Sequence, residues 1–147
     1  MFSYASMLSE GDGIDENKQE AAHYFKLAAD RGHVESMFQY GFMLEEGAGV
    51  EENKTEAARY YKMSADEGSV GGMINMGIFL FNGFGIEANK LEGSKYFKMS
   101  ADNGFVRGME NYALINKTGN GIPENKPEAA KYYKMAADNG SVLSMYI

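Results

Sequence analysis

Every landmark in this chain returns after 36 residues without a gap, and nothing else in the sequence constrains the fold as strongly. Asn17-Lys18, Asn53-Lys54, Asn89-Lys90 and Asn125-Lys126 keep that step. So do Ala29-Asp30, Ala65-Asp66, Ala101-Asp102 and Ala137-Asp138. Glycines follow the same rhythm at 11, 47, 83 and 119, two places later at 13, 49, 85 and 121, and again at 32, 68, 104 and 140. A repeat of this size is one supersecondary unit that cannot bury its own apolar face, so stability must come from stacking copies.

Residues 35–70 serve as the type unit. The stretch 36–46 places Tyr40, Met43 and Leu44 at helical spacing, which predicts a core-facing stripe. It runs into Gly47-Ala48-Gly49, a turn in which glycine can take positive φ. Asn53 followed by Glu56 has the spacing of a capping box. The stretch 54–66 then carries Ala57, Ala58, Tyr61 and Ala65 and stops near Gly68. Pro127 falls in the first turn of the last such helix, where its missing N–H is tolerated. Each unit therefore reads as helix A, glycine turn, helix B, short turn. Ala5, Gly41, Gly77 and Ala113 share a slot within helix A, and Ser36, Gly72, Gly108 and Ser144 share one at its start. Mid-helix glycine costs about 1 kcal/mol against alanine, so its return points to close approach of a neighbouring helix.

The run Tyr40-Gly41, Gly47-Ala48-Gly49-Val50, Asn53-Lys54 with Glu56-Ala57-Ala58, Tyr61, and Ala65 through Gly68 resembles the Sel1-like repeat, a relative of the tetratricopeptide repeat. The likeness covers essentially the whole chain in four phased copies. It implies an all-α, right-handed superhelical solenoid with A helices on the concave side and B helices outside. It also implies an adaptor that holds protein complexes together. A bacterial branch of the family carries a disulfide in each repeat. This chain has no cysteine, so that branch's activities do not carry over.

With 147 residues the chain is about one domain, here a single array with units near 1–34, 35–70, 71–106 and 107–142 and the start of a further A helix at 143–147. Met1 aligns with Met37, Met73, Met109 and Met145, so the chain opens and closes inside an A helix. Solenoid ends need a polar cap. Met1, Phe2, Tyr4 and Met7 at one end, and Leu143, Met145, Tyr146 and Ile147 at the other, are expected to be uncovered. The expectation is a segment of a longer array, or ends that pack on neighbouring repeats or chains.

Function in a repeat protein is sought where copies differ. One helix-A slot reads Phe2, Phe38, Ile74, Glu110; a second reads Ser6, Phe42, Ile78, Leu114; a third reads Ser9, Glu45, Phe81, Lys117. If Tyr40, Met43 and Leu44 face the core, these slots turn toward the concave groove. Phe38, Phe42, Ile74, Ile78, Phe81 and Leu114 are then candidate contacts for a protein partner, with Phe84 a further candidate from the turn. The alternative is that some of them pack between A helices. Gln39, Asn75 and Asn111 form a carboxamide series that could clamp an extended peptide backbone, or could be a solvated polar slot. In the fourth copy Asn116 stands where Leu8, Leu44 and Leu80 stand elsewhere, so that slot is looser or meets something polar.

Charge narrows the classes further. The net charge is −7, which argues against a nucleic-acid surface. Residues 1–70 hold 6 basic and 14 acidic residues, while residues 71–147 hold 8 and 7, so the acidity is concentrated at one end. Lys26, Lys62, Lys98 and Lys134 each precede Asp30, Asp66, Asp102 and Asp138 by four, an offset outer stripe. Those aspartates sit at helix C-termini, where they oppose the macrodipole, and are expected to accept backbone N–H bonds in the following turn.

No catalytic, cofactor or metal site emerges. His23 shares its slot with Arg59, Lys95 and Lys131, a solvated position, and His33 is the only other histidine. The loop with Asp12, Asp15 and Glu16 lacks a calcium-hand pattern. Gly47-Ala48-Gly49 before Lys54-Thr55 lacks the glycine before lysine and the preceding strand of a phosphate loop. No apolar stretch is long enough to span a bilayer. Absence of cysteine favours a reducing compartment, and with no signal-sequence pattern the expected setting is cytoplasmic. Were the chain lumenal, Asn116-Lys117-Thr118 would be the glycosylation sequon to inspect first. The leading reading is a non-catalytic adaptor binding a protein through the A helices. Its rival is an architectural subunit held through its ends and convex face.

Overall fold

The structure, a computed structural model, describes residues 1–141. Among these residues there are eight α-helices and no strand: α1 (Phe2–Glu10), α2 (Lys18–Asp30), α3 (Val34–Glu46), α4 (Lys54–Asp66), α5 (Val70–Asn82), α6 (Lys90–Asp102), α7 (Val106–Thr118) and α8 (Lys126–Asp138). Odd-numbered helices are the predicted A helices and even-numbered ones the B helices. Leu143, Ser144, Met145, Tyr146 and Ile147, expected in a further A helix, lie outside the described residues.

The B helices begin alike. Asn17, Asn53, Asn89 and Asn125 each accept the backbone N–H of the glutamate three residues on, at 3.0 to 3.1 Å. The reciprocal half of a capping box is not what occupies the asparagine N–H. It donates to the carbonyl nine residues earlier, at 2.8 Å for Asn17 to Leu8 and Asn53 to Leu44, and 2.7 Å for Asn89 to Leu80. Those carbonyls belong to the last turn of the preceding A helix, which lacks intrahelical partners for them. One residue thus caps helix B and satisfies the end of helix A.

The A helices begin less uniformly. His33 Nδ1 accepts the Ser36 N–H at 3.2 Å, Ser69 Oγ accepts the Gly72 N–H at 3.1 Å, and Phe105 offers no side-chain cap. His33 therefore does structural work at the start of α3.

The chain divides into two compact units, Met1–Gly72 with Phe84–Ile86, and Met73–Gly83 with the chain from Glu87 onward. In the first unit α1 packs on α2, α2 on α3 and α3 on α4. Ala21, Phe25, Ala29, Tyr40, Met43, Leu44, Tyr60 and Tyr61 form its interior, with the Tyr40 and Tyr60 rings edge-on at 4.8 Å. The predicted stripe of Tyr40, Met43 and Leu44 is buried. At the chain's first helix Met1, Tyr4 and Met7 are exposed, while the Phe2 ring lies 5.8 Å from Phe25 and 4.8 Å from His33.

In the second unit α7 packs on α6 and α8. Ala101, Met109, Ala113, Tyr132 and Ala136 form one cluster, and Ile74, Phe97 and Ile115 another. The slot of Gly41 and Gly77 admits an aromatic ring: a Cβ on Gly77 would lie 2.8 Å from the Phe97 ring, and one on Gly41 3.0 Å from Tyr61. Helix and ring approach closely there, as the mid-helix glycines predict.

The conserved step also links successive copies. Gly49 (φ +74) sits directly against the Lys18 carbonyl at the start of α2, leaving no room for a Cβ. Gly85 takes the corresponding place beside Lys54, where Thr55 Oγ1 donates to the Gly85 carbonyl at 2.6 Å.

The aspartates at the helix ends depart from expectation. Their carboxylates take side-chain donors, not turn N–H groups: Asp30 accepts from Lys26 at 2.8 Å and from the Tyr60 hydroxyl at 2.7 Å. Asp102 accepts from Lys98 at 2.9 Å and from Tyr132 at 2.8 Å. The turn N–H groups are instead taken by helix-end carbonyls, as with His33 N to Ala28 O at 3.0 Å.

Candidate functional site

The second unit contains an open cavity of about 570 Å³. It is bounded by the C-terminal half of α5, one face of α7 and Phe97 of α6. Four of the residues singled out from the sequence meet there: Ile78, Phe81, Asn111 and Leu114. Ile78 and Phe81 are half-buried against the cluster of Ile74, Phe97 and Ile115, with the Phe81 and Phe97 rings 6.1 Å apart. Leu114 is 51% exposed at the rim. The periodicity explains the grouping, since residues 78, 81 and 82 share one face of α5, and 107, 111, 114 and 118 share one face of α7.

Ile74 does not join them. It is 2% exposed and lies in the core with Phe97 and Ile115. Its side chain points between helices, so it supports the cavity wall and is not offered to a partner. Asn75 is half-buried and does not line the cavity.

The corresponding slots in the first unit behave differently. Phe38 is half-buried, its ring 5.7 Å from that of Tyr61, and it fills the space left by the absent Cβ of Gly71. Phe42 is 46% exposed. Gln39 Nε2 donates to Glu35 at 3.1 Å. Phe84, in the turn, is 41% exposed.

Sequence reasoning missed Asn82, Arg107, Thr118 and Asn120, which complete the polar part of the cavity lining. Asn82 Nδ2 donates to the Ile78 carbonyl at 2.9 Å and Thr118 Oγ1 to the Leu114 carbonyl at 2.8 Å. Asn120 Oδ1 accepts from Lys90 at 2.9 Å, and the Lys90 ammonium stands 5.4 Å from the centre of the Phe81 ring. Among the described residues no carboxylate lines the cavity. Arg107 and Asn111 find no hydrogen-bond or ionic partner among the described residues. The signal was available as contrast: Arg107 shares its slot with Glu35 and Gly71.

Asn116 is 3% exposed, and its Nδ2 donates to the Tyr112 carbonyl at 2.8 Å. The polar contact expected for it is thus its own helix backbone. Its burial also removes it as a glycan acceptor in the folded chain.

Elsewhere the surface chemistry is unremarkable. The four Lys–Asp pairs form at 2.8 to 2.9 Å on exposed side chains, where such pairs contribute little. Among the described residues no three His, Cys, Asp or Glu side chains group to hold a metal, and no helix is long and apolar enough to cross a membrane.

The Sel1 repeat model matches residues 1–33, 34–69, 70–105 and 106–141. None of the curated proteins matches the chain. Among solved structures, a protective antigen of uropathogenic Escherichia coli displaying an SLR fold superposes over 99% of this chain with a TM-score of 0.95 and 24% identity. A Sel1 repeat protein from Oxalobacter formigenes does so over 97% with a TM-score of 0.92 and 25% identity. This chain spans 31% of the first protein and 58% of the second. The cysteine-rich protein B of Helicobacter pylori matches 89% of this chain, and 94% of its own length is covered, with a TM-score of 0.70 and 18% identity. These likenesses show an α/α solenoid.

Proposed function

From the premise that the chain belongs to the Sel1 repeat family, whose members are generally protein-interaction scaffolds, we propose that it binds a protein partner through the A-helix cavity of the second unit. The observation that carries this reading is Leu114, half-exposed beside an open cavity lined by Ile78, Phe81 and Phe97. A partner side chain such as Leu or Phe entering that space removes apolar surface from water on both molecules, worth about 1.5–3 kcal/mol for each fully buried side chain. That is the character of an interface anchor. Phe42, in the equivalent slot of the first unit, offers a further apolar contact. Of the carboxamide series, Asn111 lines the cavity and supplies a polar contact for the partner. The fold is typically a non-enzymatic scaffold, and the cavity holds no base beside a nucleophile.

The test is affinity capture with quantitative mass spectrometry from the native cell, comparing the natural chain with Leu114→Glu and Phe42→Glu variants shown by circular dichroism to be folded. Loss of one defined set of partners with Leu114→Glu supports docking in the cavity. An unchanged set overturns it and moves the interface to the ends or the B-helix face, the architectural reading.

A further inference from the structure

The cavity of the second unit carries an electrostatic instruction as well as an apolar one. Arg107 and Asn111 lie four residues apart on α7, so they are neighbours on one helix face. Both line the cavity, and neither has a partner among the described residues. The same two slots in the first unit hold Glu35 and Gln39, and there the carboxamide donates to the carboxylate at 3.1 Å. The molecule thus contains a worked example of what this carboxamide position pairs with. In the second unit an arginine stands in place of that carboxylate, so a carboxylate brought by a partner finds both groups open to it.

Two other cavity slots also lose a carboxylate. Glu45 of the first unit becomes Phe81, and Glu46 becomes Asn82 and Thr118. Lys90 adds a second cation beside the Phe81 ring. In a chain of net charge −7, the described lining of this cavity therefore holds one cation, Arg107, and no carboxylate.

We infer that the cavity selects a linear peptide segment in which an Asp or Glu side chain adjoins an apolar anchor, the anchor resting on Ile78, Phe81 and Leu114 and the carboxylate held by Arg107 and Asn111. This rests on the docking reading above and adds the chemistry of the partner. A guanidinium with a neighbouring amide N–H matches a carboxylate in geometry and charge. The apolar anchor, once seated, excludes water and strengthens that contact. The model for the contact is a side-chain carboxylate, that of Glu35, and the segment is accordingly an internal acidic one.

The experiment selects peptides from a random library displayed on phage with the natural chain as bait. The best binder is then synthesised with free and amidated C-termini, and its affinity is measured by fluorescence anisotropy. The expected binder carries Asp or Glu within two or three positions of Leu, Ile, Met or Phe. Changing that acid to its amide weakens binding to the natural chain about tenfold and leaves binding to Arg107→Ala unchanged. Arg107→Glu restores binding to a peptide in which the acid is replaced by lysine. Binders without an acidic residue, or binding indifferent to Arg107→Ala, overturn the inference, as does a library that yields no binder. Binding that depends on a free C-terminus and not on the acidic side chain overturns the internal segment. Leu114→Glu separates the two levels. If it abolishes binding while Arg107→Ala does not, docking stands and acid recognition fails; if it too is without effect, docking itself fails.

Discussion

The hydroxyl of Tyr60, on a side chain with no exposed surface, donates to the carboxylate of Asp30 at 2.7 Å, thirty residues back and in the preceding repeat. Tyr132 repeats this toward Asp102 at 2.8 Å in the second unit. Each bond ties the middle of one B helix to the end of another.

Tyr60→Phe is expected to destabilise the chain by about 1.5–3 kcal/mol, the usual loss for a hydrogen bond to a charged group. Urea unfolding at neutral pH measures it. The Lys26 ammonium, against a burial cost and aided by the Tyr60 hydroxyl, holds the Asp30 carboxyl below its ordinary value. Its contribution is therefore present at neutral pH and is lost as pH falls below about 4. The difference between natural chain and Tyr60→Phe should shrink over that acid range.

At the alkaline side, burial and then the Asp102 hydrogen bond push the Tyr132 phenol up to about 12. A group raised on folding contributes stability that is complete below its unfolded value, about 10, and lost as pH rises through its folded one. Ultraviolet titration of the natural chain against Tyr132→Phe should show one late-ionising phenol, and urea midpoints should converge above pH 10.

Asn116→Leu should stabilise the fourth repeat. Asn116 is buried with one side-chain hydrogen bond, to Tyr112, where three other copies carry leucine. Replacing an incompletely satisfied carboxamide by a side chain the slot already accepts is expected to add about 1 kcal/mol. An unchanged or lower urea midpoint contradicts this.

Gly49→Ala should cost about 3 kcal/mol or more, because positive φ and collision with the Lys18 backbone act together. Gly68, at φ +97, faces open space. Gly68→Ala should cost only the left-handed penalty of about 1–2 kcal/mol. Thermal unfolding of the two variants side by side gives the comparison.

The 36-residue step made the helices, their phase and the asparagine caps legible, since identical residues at identical slots do identical work. Relationships that cross from copy to copy were harder to read. Both partners of the Tyr60–Asp30 bond recur in every copy, as Tyr24, Tyr60, Tyr96 and Tyr132 and as Asp30, Asp66, Asp102 and Asp138, but the bond crosses a copy boundary, so an alignment shows the two series and not their pairing, and local reasoning sent the aspartate to its own turn. Ile74 was misjudged for a related reason. Ile74 and Ile78 lie one turn apart on α5, yet Ile74 is buried with Phe97 and Ile115 while Ile78 lines the cavity, a difference that helical spacing alone does not show. Arg107 carries no apolar signal and stands out only by contrast with Glu35 and Gly71 in the same slot.

The four asparagine caps hold nearly one backbone conformation, with φ and ψ of −145° and 90°, −151° and 93°, −145° and 91°, and −143° and 86°. Such equivalence makes each cap a natural breakpoint for recombination. A gene segment duplicated or deleted between any two of them rejoins a helix start to an identical helix start, and the reading frame of the architecture survives. Length can then drift by whole copies while individual cavities diverge, so lineages can acquire new binding specificities without inventing a new fold.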